Sequence, residues 1–124
     1  RIRCDDDPNG IVIAPDARLA FVASFGKGQD GGGTVSVVDL DTRAVTKRIN
    51  VDDGPSRLAV DEEADSVYLT CLYAKKVNVI SLSSPRVTDR FSTDRRPTGA
   101  AVDTSTGKLY VTSFDQNVVQ VFGA

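Results

Sequence analysis

The stretch "KLYVTSFDQNVVQVF" (108–122) repeats the frame of "SVYLTCLYAKKVNVI" (66–80): an aromatic set among aliphatic and β-branched residues, a polar gap, then valines at every second place. A period of two puts successive side chains on opposite faces, so each frame reads as two half-buried strands joined by a loop. A looser version lies upstream, as "LAFVAS" (19–24) followed by "TVSVVDL" (34–40). Moving outward, each pair is preceded by a proline and a brief apolar run, in "PNGIVIA", "PSRLAVD" and "PTGAAVD". Pro8, Pro55 and Pro97 stand 47 and 42 residues apart, and Phe21, Tyr68 and Tyr110 follow them at one constant interval. The extra length of the first copy falls in "GKGQDGGG" (Gly26 to Gly33), flexible by composition.

Each copy thus reads as four short strands. The first are "GIVIA", "RLAV" and "GAAV"; the second are "LAFVAS", "SVYLTC" and "KLYVTS". The third are "TVSVVDL", "KVNVISL" and "VVQVF", and a fourth is "AVTKRINV" in the first copy and "RVTDRFST" in the second. No segment carries a sustained helical apolar stripe, so the expected class is all-β. Four strands at a period in the low forties predict β-propeller blades, four-stranded antiparallel sheets that cover their faces by stacking on one another. The crowded axis explains small residues on the innermost strands, at Ala59, Ala100 and Ala101. The expected division is 1–7 as the end of a preceding outer strand, 8–54 as the first blade, 55–96 as the second, and 97–124 as a third lacking its outer strand.

The pattern P-x-x-[LA]-A-V-D, then [VL]-Y-[VL]-T, then V-x-V-[IF], carried here by "PSRLAVD…VYLT…VNVI" and "PTGAAVD…LYVT…VQVF", resembles the YVTN-type β-propeller repeat, a relative of the NHL and WD repeats. The first copy departs from it at "IAPDAR", where Ala14-Pro15 displaces the usual Asp. The resemblance covers almost the whole chain and implies architecture more than activity. It implies kinship with secreted or surface binding proteins of bacteria and archaea, with lactonase-like propellers, and with propeller domains of redox enzymes whose cofactors sit on other elements.

The 124 residues include 15 Lys and Arg against 17 Asp and Glu, a net charge of −2 with both signs mixed. There is no basic stripe for nucleic acid, and the apolar runs are too short to span a bilayer. Because the chain starts at Arg1, a trimmed or excised piece is expected; the location expected from the resemblance is secreted, periplasmic or cell-surface. The absence of histidine removes Ser-His-Asp and Cys-His nucleophile pairs within this chain, along with histidine-based zinc and haem ligation. Cys71 has Ser24 and Ser113 as counterparts, which favours a small residue packed between blades over a nucleophile. The acidic clusters "CDDDPNG" and "VDDGPS" lack metal-loop spacing and read as turns, as do Asp61 and Asp103. No catalytic residue, metal site or cofactor is expected.

Blade geometry places the outer-to-inner connectors and the loops between second and third strands on one rim. These loops diverge while the strands repeat, so binding specificity belongs there. The expected binding residues are Arg57, Tyr73, Lys75, Lys76, Arg95, Arg96, Phe114, Asp115, Gln116 and Asn117, with Phe25 adding aromatic surface. The expectation is a non-catalytic scaffold presenting this rim to a protein, glycan or surface polymer; the alternative is a piece of a propeller enzyme, a lactonase-like hydrolase or a redox protein's propeller domain, with catalytic groups elsewhere. Three blades cannot close a ring that needs roughly 4 to 8. Either further blades follow in a longer chain, the favoured reading, or identical chains assemble into one ring, most simply six blades from a dimer.

Overall fold

The computed structural model describes residues 1–26, 32–114 and 116–123. Every regular element among them is a strand: β1 (Pro8–Ala14), β2 (Leu19–Ser24), β3 (Gly33–Asp39), β4 (Ala44–Val51), β5 (Pro55–Asp61), β6 (Ser66–Cys71), β7 (Lys76–Ser81), β8 (Val87–Ser92), β9 (Pro97–Asp103), β10 (Lys108–Ser113) and β11 (Val119–Phe122). They form two four-stranded sheets, β1-β2-β3-β4 and β5-β6-β7-β8, and a three-stranded sheet, β9-β10-β11, each an antiparallel meander. These are the three expected sheets, called blades 1, 2 and 3 here.

The turn joining the first two strands of each blade uses one device three times. Arg18, Asp65 and Gly107 occupy equivalent positions, all with positive φ, of 56°, 53° and 76°. Only glycine adopts that conformation without strain. Asp61 and Asp103 act as turn-formers: the Asp61 carboxylate accepts from the Ala64 N–H at 3.3 Å, and Asp103 from the Ser105 N–H at 3.0 Å and hydroxyl at 2.6 Å. Those bonds hold the Asp103 carboxyl below its ordinary pKa.

Blades 1 and 2 pack face to face. Phe21, Val35, Val37 and Ile49 of blade 1 meet Val67, Leu69, Cys71 and Ile80 of blade 2 in the main core. The other face of blade 2 presents Ala59, Val77, Tyr68 and Phe91 to Leu109, Val111, Ala100 and Phe122 of blade 3. Fully burying one such large side chain contributes about 1.5–3 kcal/mol, so the stacking supplies the stability that no single sheet could. The inner strands crowd one another as the small residues imply. At Gly10 an added Cβ would run into the Ser56 carbonyl oxygen of the next blade. Ala101 lies on the outward face of blade 3 and is exposed in this chain.

A polar latch accompanies the apolar stacking. In the connector from blade 1 to blade 2, the Asp52 N–H donates to Asn78 Oδ1 at 3.1 Å, and Asn78 Nδ2 donates back to Asp52 Oδ2 at 2.8 Å. Arg90 Nε stands 3.3 Å from the same carboxylate. One repeat later the Asp94 N–H donates to Gln120 Oε1 at 3.1 Å. One repeat earlier Arg48 Nε donates to Asp5 at 2.9 Å, but Ser36, the counterpart of Asn78, is too short; Thr34 donates to Asp5 at 2.6 Å instead. The Ser36 hydroxyl is left buried without a partner.

Residues 1–7, expected as the tail of an outer strand, pair with no strand among the described residues. They lie along the open face of blade 1, where Cys4 packs on Ala20, Val22 and Val38 and Asp5 takes the latch position. An outer strand needs the edge of a third strand to pair with, and the edge of β3 already belongs to β4.

Candidate binding rim

Three backbone hydrogen bonds tie the two loop sets to one side of the molecule. The N–H groups of Phe25, Leu72 and Phe114, each just past a second strand, donate to the carbonyls of Asp7, Gly54 and Arg96, each just before an inner strand, at 2.9, 2.8 and 2.8 Å. In each blade, therefore, the connector entering the inner strand and the loop after the second strand lie side by side.

Between blades, residues distant in sequence come together. The rings of Phe25 and Tyr73 meet edge to face with centroids 5.5 Å apart, and the Arg96 guanidinium sits 5.9 Å above the Tyr73 ring. Aromatic edge-to-face pairs contribute about 0.5–1.5 kcal/mol beyond burial, and a cation over a ring about 0.5–1 kcal/mol at an exposed site. Gly54 makes the cluster possible. Its φ is +77°, and a Cβ there would come within 2.9 Å of both the Tyr73 backbone nitrogen and the ring.

Beside this cluster opens a cleft of about 440 Å³ lined by Asn9, Phe25, Ser56, Arg57, Leu72, Thr98, Gly99 and Thr112. A hydroxyl pair recurs by blade along it: the lining Ser56 stands 3.1 Å from the buried Thr70 hydroxyl, and Thr98 and Thr112, both in the lining, stand 3.2 Å apart. Arg57 spans the cleft, donating from Nη1 to the Asn9 and Ser56 carbonyls at 3.2 Å each, with its side chain exposed.

The remaining expected residues make no side-chain contact with the Phe25–Tyr73–Arg96 cluster among the bonds and ring contacts of the described residues. Lys75 is exposed at the loop tip with φ +54°, its carbonyl accepting from the Thr93 N–H, and Lys76 begins β7. Arg95 Nη2 and Nε each stand 2.9 Å from the Gln116 side-chain amide, which accepts from both when its oxygen is turned toward them. Phe114 is 67% exposed, and Asn117 is exposed beyond it. Asp115 and most of the glycine-rich insertion (27–31) lie outside the described residues. Arg57, Tyr73 and Arg96 thus share one locality with Phe25, and Arg95 faces Gln116.

Cys71 is fully buried between blades 1 and 2, and burial pushes its thiol up to about 12. A thiol held neutral is a poor nucleophile. Among the described residues, no group of three acidic or cysteine side chains stands close enough to hold a metal ion, and no helix is long and apolar enough to cross a membrane.

Sequence reasoning missed the latch. Its signal was a polar column, Ser36, Asn78 and Gln120, running through the alternating valines of the third strands, in step with Arg48 and Arg90 on the fourth.

Neither a known protein family nor a curated protein matches this chain. Solved structures do. A chain of Kuenenia stuttgartiensis hydrazine synthase superposes with a TM-score of 0.81 at 21% identity, over 98% of this chain and 34% of that one. The β-propeller domain of Myceliophteria thermophila Cps50 (Swd1) gives 0.71 at 13% identity, over 97% of this chain and 38% of that one. A chain of a nidogen/laminin complex gives 0.68 at 15% identity, over 92% and 42%. The chain therefore spans roughly a third to two fifths of the length of these structures. With the stacked meanders described above, this likeness establishes the architecture: the chain is built of β-propeller blades.

Proposed function

We propose that this chain is a non-catalytic scaffold of YVTN-type propeller blades, secreted, periplasmic or cell-surface, that presents its rim to a protein, glycan or surface polymer. The observation that carries the reading is the Phe25–Tyr73–Arg96 cluster beside the Arg57-spanned cleft. An edge-to-face aromatic pair with a guanidinium over one ring suits the apolar face of a sugar ring or an aromatic or acidic side chain, and such anchors dominate interface energetics. The cluster also joins loops of successive blades, the part of the repeat that varies. The nidogen/laminin likeness gives a precedent for a protein complex on this fold. Arg95 and Gln116, with Lys75, Lys76, Phe114, Asp115 and Asn117, form the outer contacts in this reading.

A second reading draws on the likeness to hydrazine synthase, an enzyme by its name: the chain is a propeller portion of an enzyme, lactonase-like or redox, whose catalytic groups lie on other elements.

The test is to probe the purified chain against a glycan array and a displayed-peptide library. Tyr73→Ala and Arg96→Ala are expected to weaken the selected interactions about tenfold or more, while Lys75→Ala changes them less than threefold. Binders insensitive to both rim variants, or no selective binder, would overturn the proposal.

A further inference from the structure

Arg57 stands out from the repeat around it. The residue two places after the proline that opens each inner strand is Gly10 in blade 1 and Gly99 in blade 3, but arginine in blade 2. The two glycines answer to crowding: a Cβ on Gly10 would run into the Ser56 carbonyl oxygen, and one on Gly99 would come within 2.6 Å of Thr112 Oγ1. Two of the three blades thus do without a side chain here, so a long cationic one is not a demand of the fold. Its setting is internal to the stack. Nη1 reaches the Asn9 carbonyl of blade 1, and the cleft is walled on the other side by Thr98 and Gly99 of blade 3. The site rests on the junctions of β1 with β5 and of β5 with β9, and on neither end of the chain.

A guanidinium carries five N–H donors in a planar fork and accepts nothing. Arg57 uses Nη1 for both of its bonds, to the Asn9 and Ser56 carbonyls at 3.2 Å each. Those carbonyls anchor the group and leave its Nε–Nη2 edge without a partner among the described residues. That edge matches a carboxylate through two parallel bonds. No described carboxylate answers the charge either: the ion pairs among the described residues join Arg18 to Asp41, Arg48 to Asp5 and Arg90 to Asp52. The cleft lining holds no acidic side chain, in a chain where Asp and Glu outnumber Lys and Arg 17 to 15.

The rest of the lining suits a sugar better than a peptide. Phe25 and Leu72 are its only large apolar groups, too few to seat a big side chain, while Ser56, Thr98 and Thr112 bring hydroxyls. Each hydroxyl has one hydrogen and two lone pairs, so the pairing of Thr98 with Thr112 leaves both with capacity for a ligand. Building on the rim reading above, we infer that the ligand is an acidic sugar. The carboxylate of a uronate unit seats on the Nε–Nη2 edge of Arg57, its ring lies against Phe25, and its hydroxyls bond Ser56 and Thr98. A free uronate and a unit of an acidic polysaccharide present the same chemistry to this cleft.

Titration calorimetry of the chain with galacturonate, glucuronate and mannuronate trisaccharides tests this, each beside its methyl ester and its monosaccharide. At least one acid form is expected to bind, and its ester to bind about tenfold more weakly or worse, since the ester removes a charged hydrogen-bonded contact. The ester comparison uses the unaltered chain and so stands whether or not a variant folds. Arg57→Ala is expected to reproduce the loss, and Arg57→Lys to restore little of it, because an ammonium cannot make the parallel pair. Affinity equal for monosaccharide and trisaccharide identifies a free uronate, and affinity rising with length identifies a polymer; both support the inference. Equal binding of acid and ester, binding undiminished in Arg57→Ala, tighter binding of a hexaglutamate peptide or a sulfated trisaccharide, or no binding of any uronate overturns it. A neutral sugar that needs Tyr73 and Arg96 but not Arg57 overturns it and leaves the rim reading intact. A uronate that needs Arg57 but neither Tyr73 nor Arg96 supports the cleft and overturns the part given to the aromatic cluster.

Discussion

The latch between Asp52 and Asn78 gives the sharpest prediction. Asn78 is fully buried, and its amide makes two hydrogen bonds to Asp52, one to the backbone N–H at 3.1 Å and one to the carboxylate at 2.8 Å. Asn78→Ala removes both. A hydrogen bond to a charged group contributes about 1.5–3 kcal/mol and a neutral one about 0.5–1.5 kcal/mol. Asp52 keeps 29% of its side chain in solvent, so its carboxylate recovers part of the loss through water. The expected cost is therefore about 2–3 kcal/mol, toward the lower end of the sum. Arg90 faces the same carboxylate at 3.3 Å but is 48% exposed, so Arg90→Ala is expected to cost only about 0.5 kcal/mol. Urea is the right denaturant, because guanidinium salt would screen the Arg90 pair. Circular dichroism at one fixed protein concentration reports the transition, the chain having no tryptophan. A double-mutant cycle of Asn78→Ala with Asp52→Ala should give a coupling of at least about 1 kcal/mol. An Asn78→Ala cost under about 0.5 kcal/mol, or one smaller than that of Arg90→Ala, would show that apolar stacking alone sets the blade spacing.

Further outcomes are expected elsewhere. Gly107 has φ +76° and open space where a Cβ would go, so Gly107→Ala isolates the backbone penalty and should cost about 1 kcal/mol in the same unfolding assay. Ser36→Ala removes a buried hydroxyl without a partner and should stabilise by up to about 1 kcal/mol, as freedom from an uncompensated desolvation. The Cys71 thiol is raised in the fold from 9.0 to about 12; its contribution to stability is complete below pH 9 and is lost as pH rises toward 12, because the unfolded thiol ionises first. At neutral pH a thiol reagent should therefore label Cys4 in the native protein and reach Cys71 only on unfolding, and prompt labelling of both would refute the buried placement.

Much of the fold was legible because one signal recurs three times. In "LAFVAS", "SVYLTC" and "KLYVTS" the bounds read from the sequence coincide with β2, β6 and β10, since alternation, β-branching and flanking turn residues agree there. Inner strands run further than their apolar runs, β5 beginning at Pro55 and not Arg57, because the proline at the strand start has no N–H to give the ladder and composition therefore hides it. The rim was legible as a set of loops but not as a set of contacts. Phe25 belongs to blade 1, Tyr73 to blade 2 and Arg96 to the connector entering blade 3, and only the stacking of blades brings them together. The latch was hidden for a related reason. Its third-strand position holds Ser, Asn and Gln in turn, so residue type varies while the place on the sheet does not. Apolar matching fixes which faces meet but tolerates sliding, since dispersion between valines has little direction. The Asn78 amide fixes Asp52 through two directed bonds, and so sets how far one blade is offset from the next. That offset bears on whether Phe25 reaches Tyr73, and the Asp94–Gln120 bond one repeat later holds the connector that carries Arg96 over the same ring, which ties the rim to a polar column on the strands beneath it.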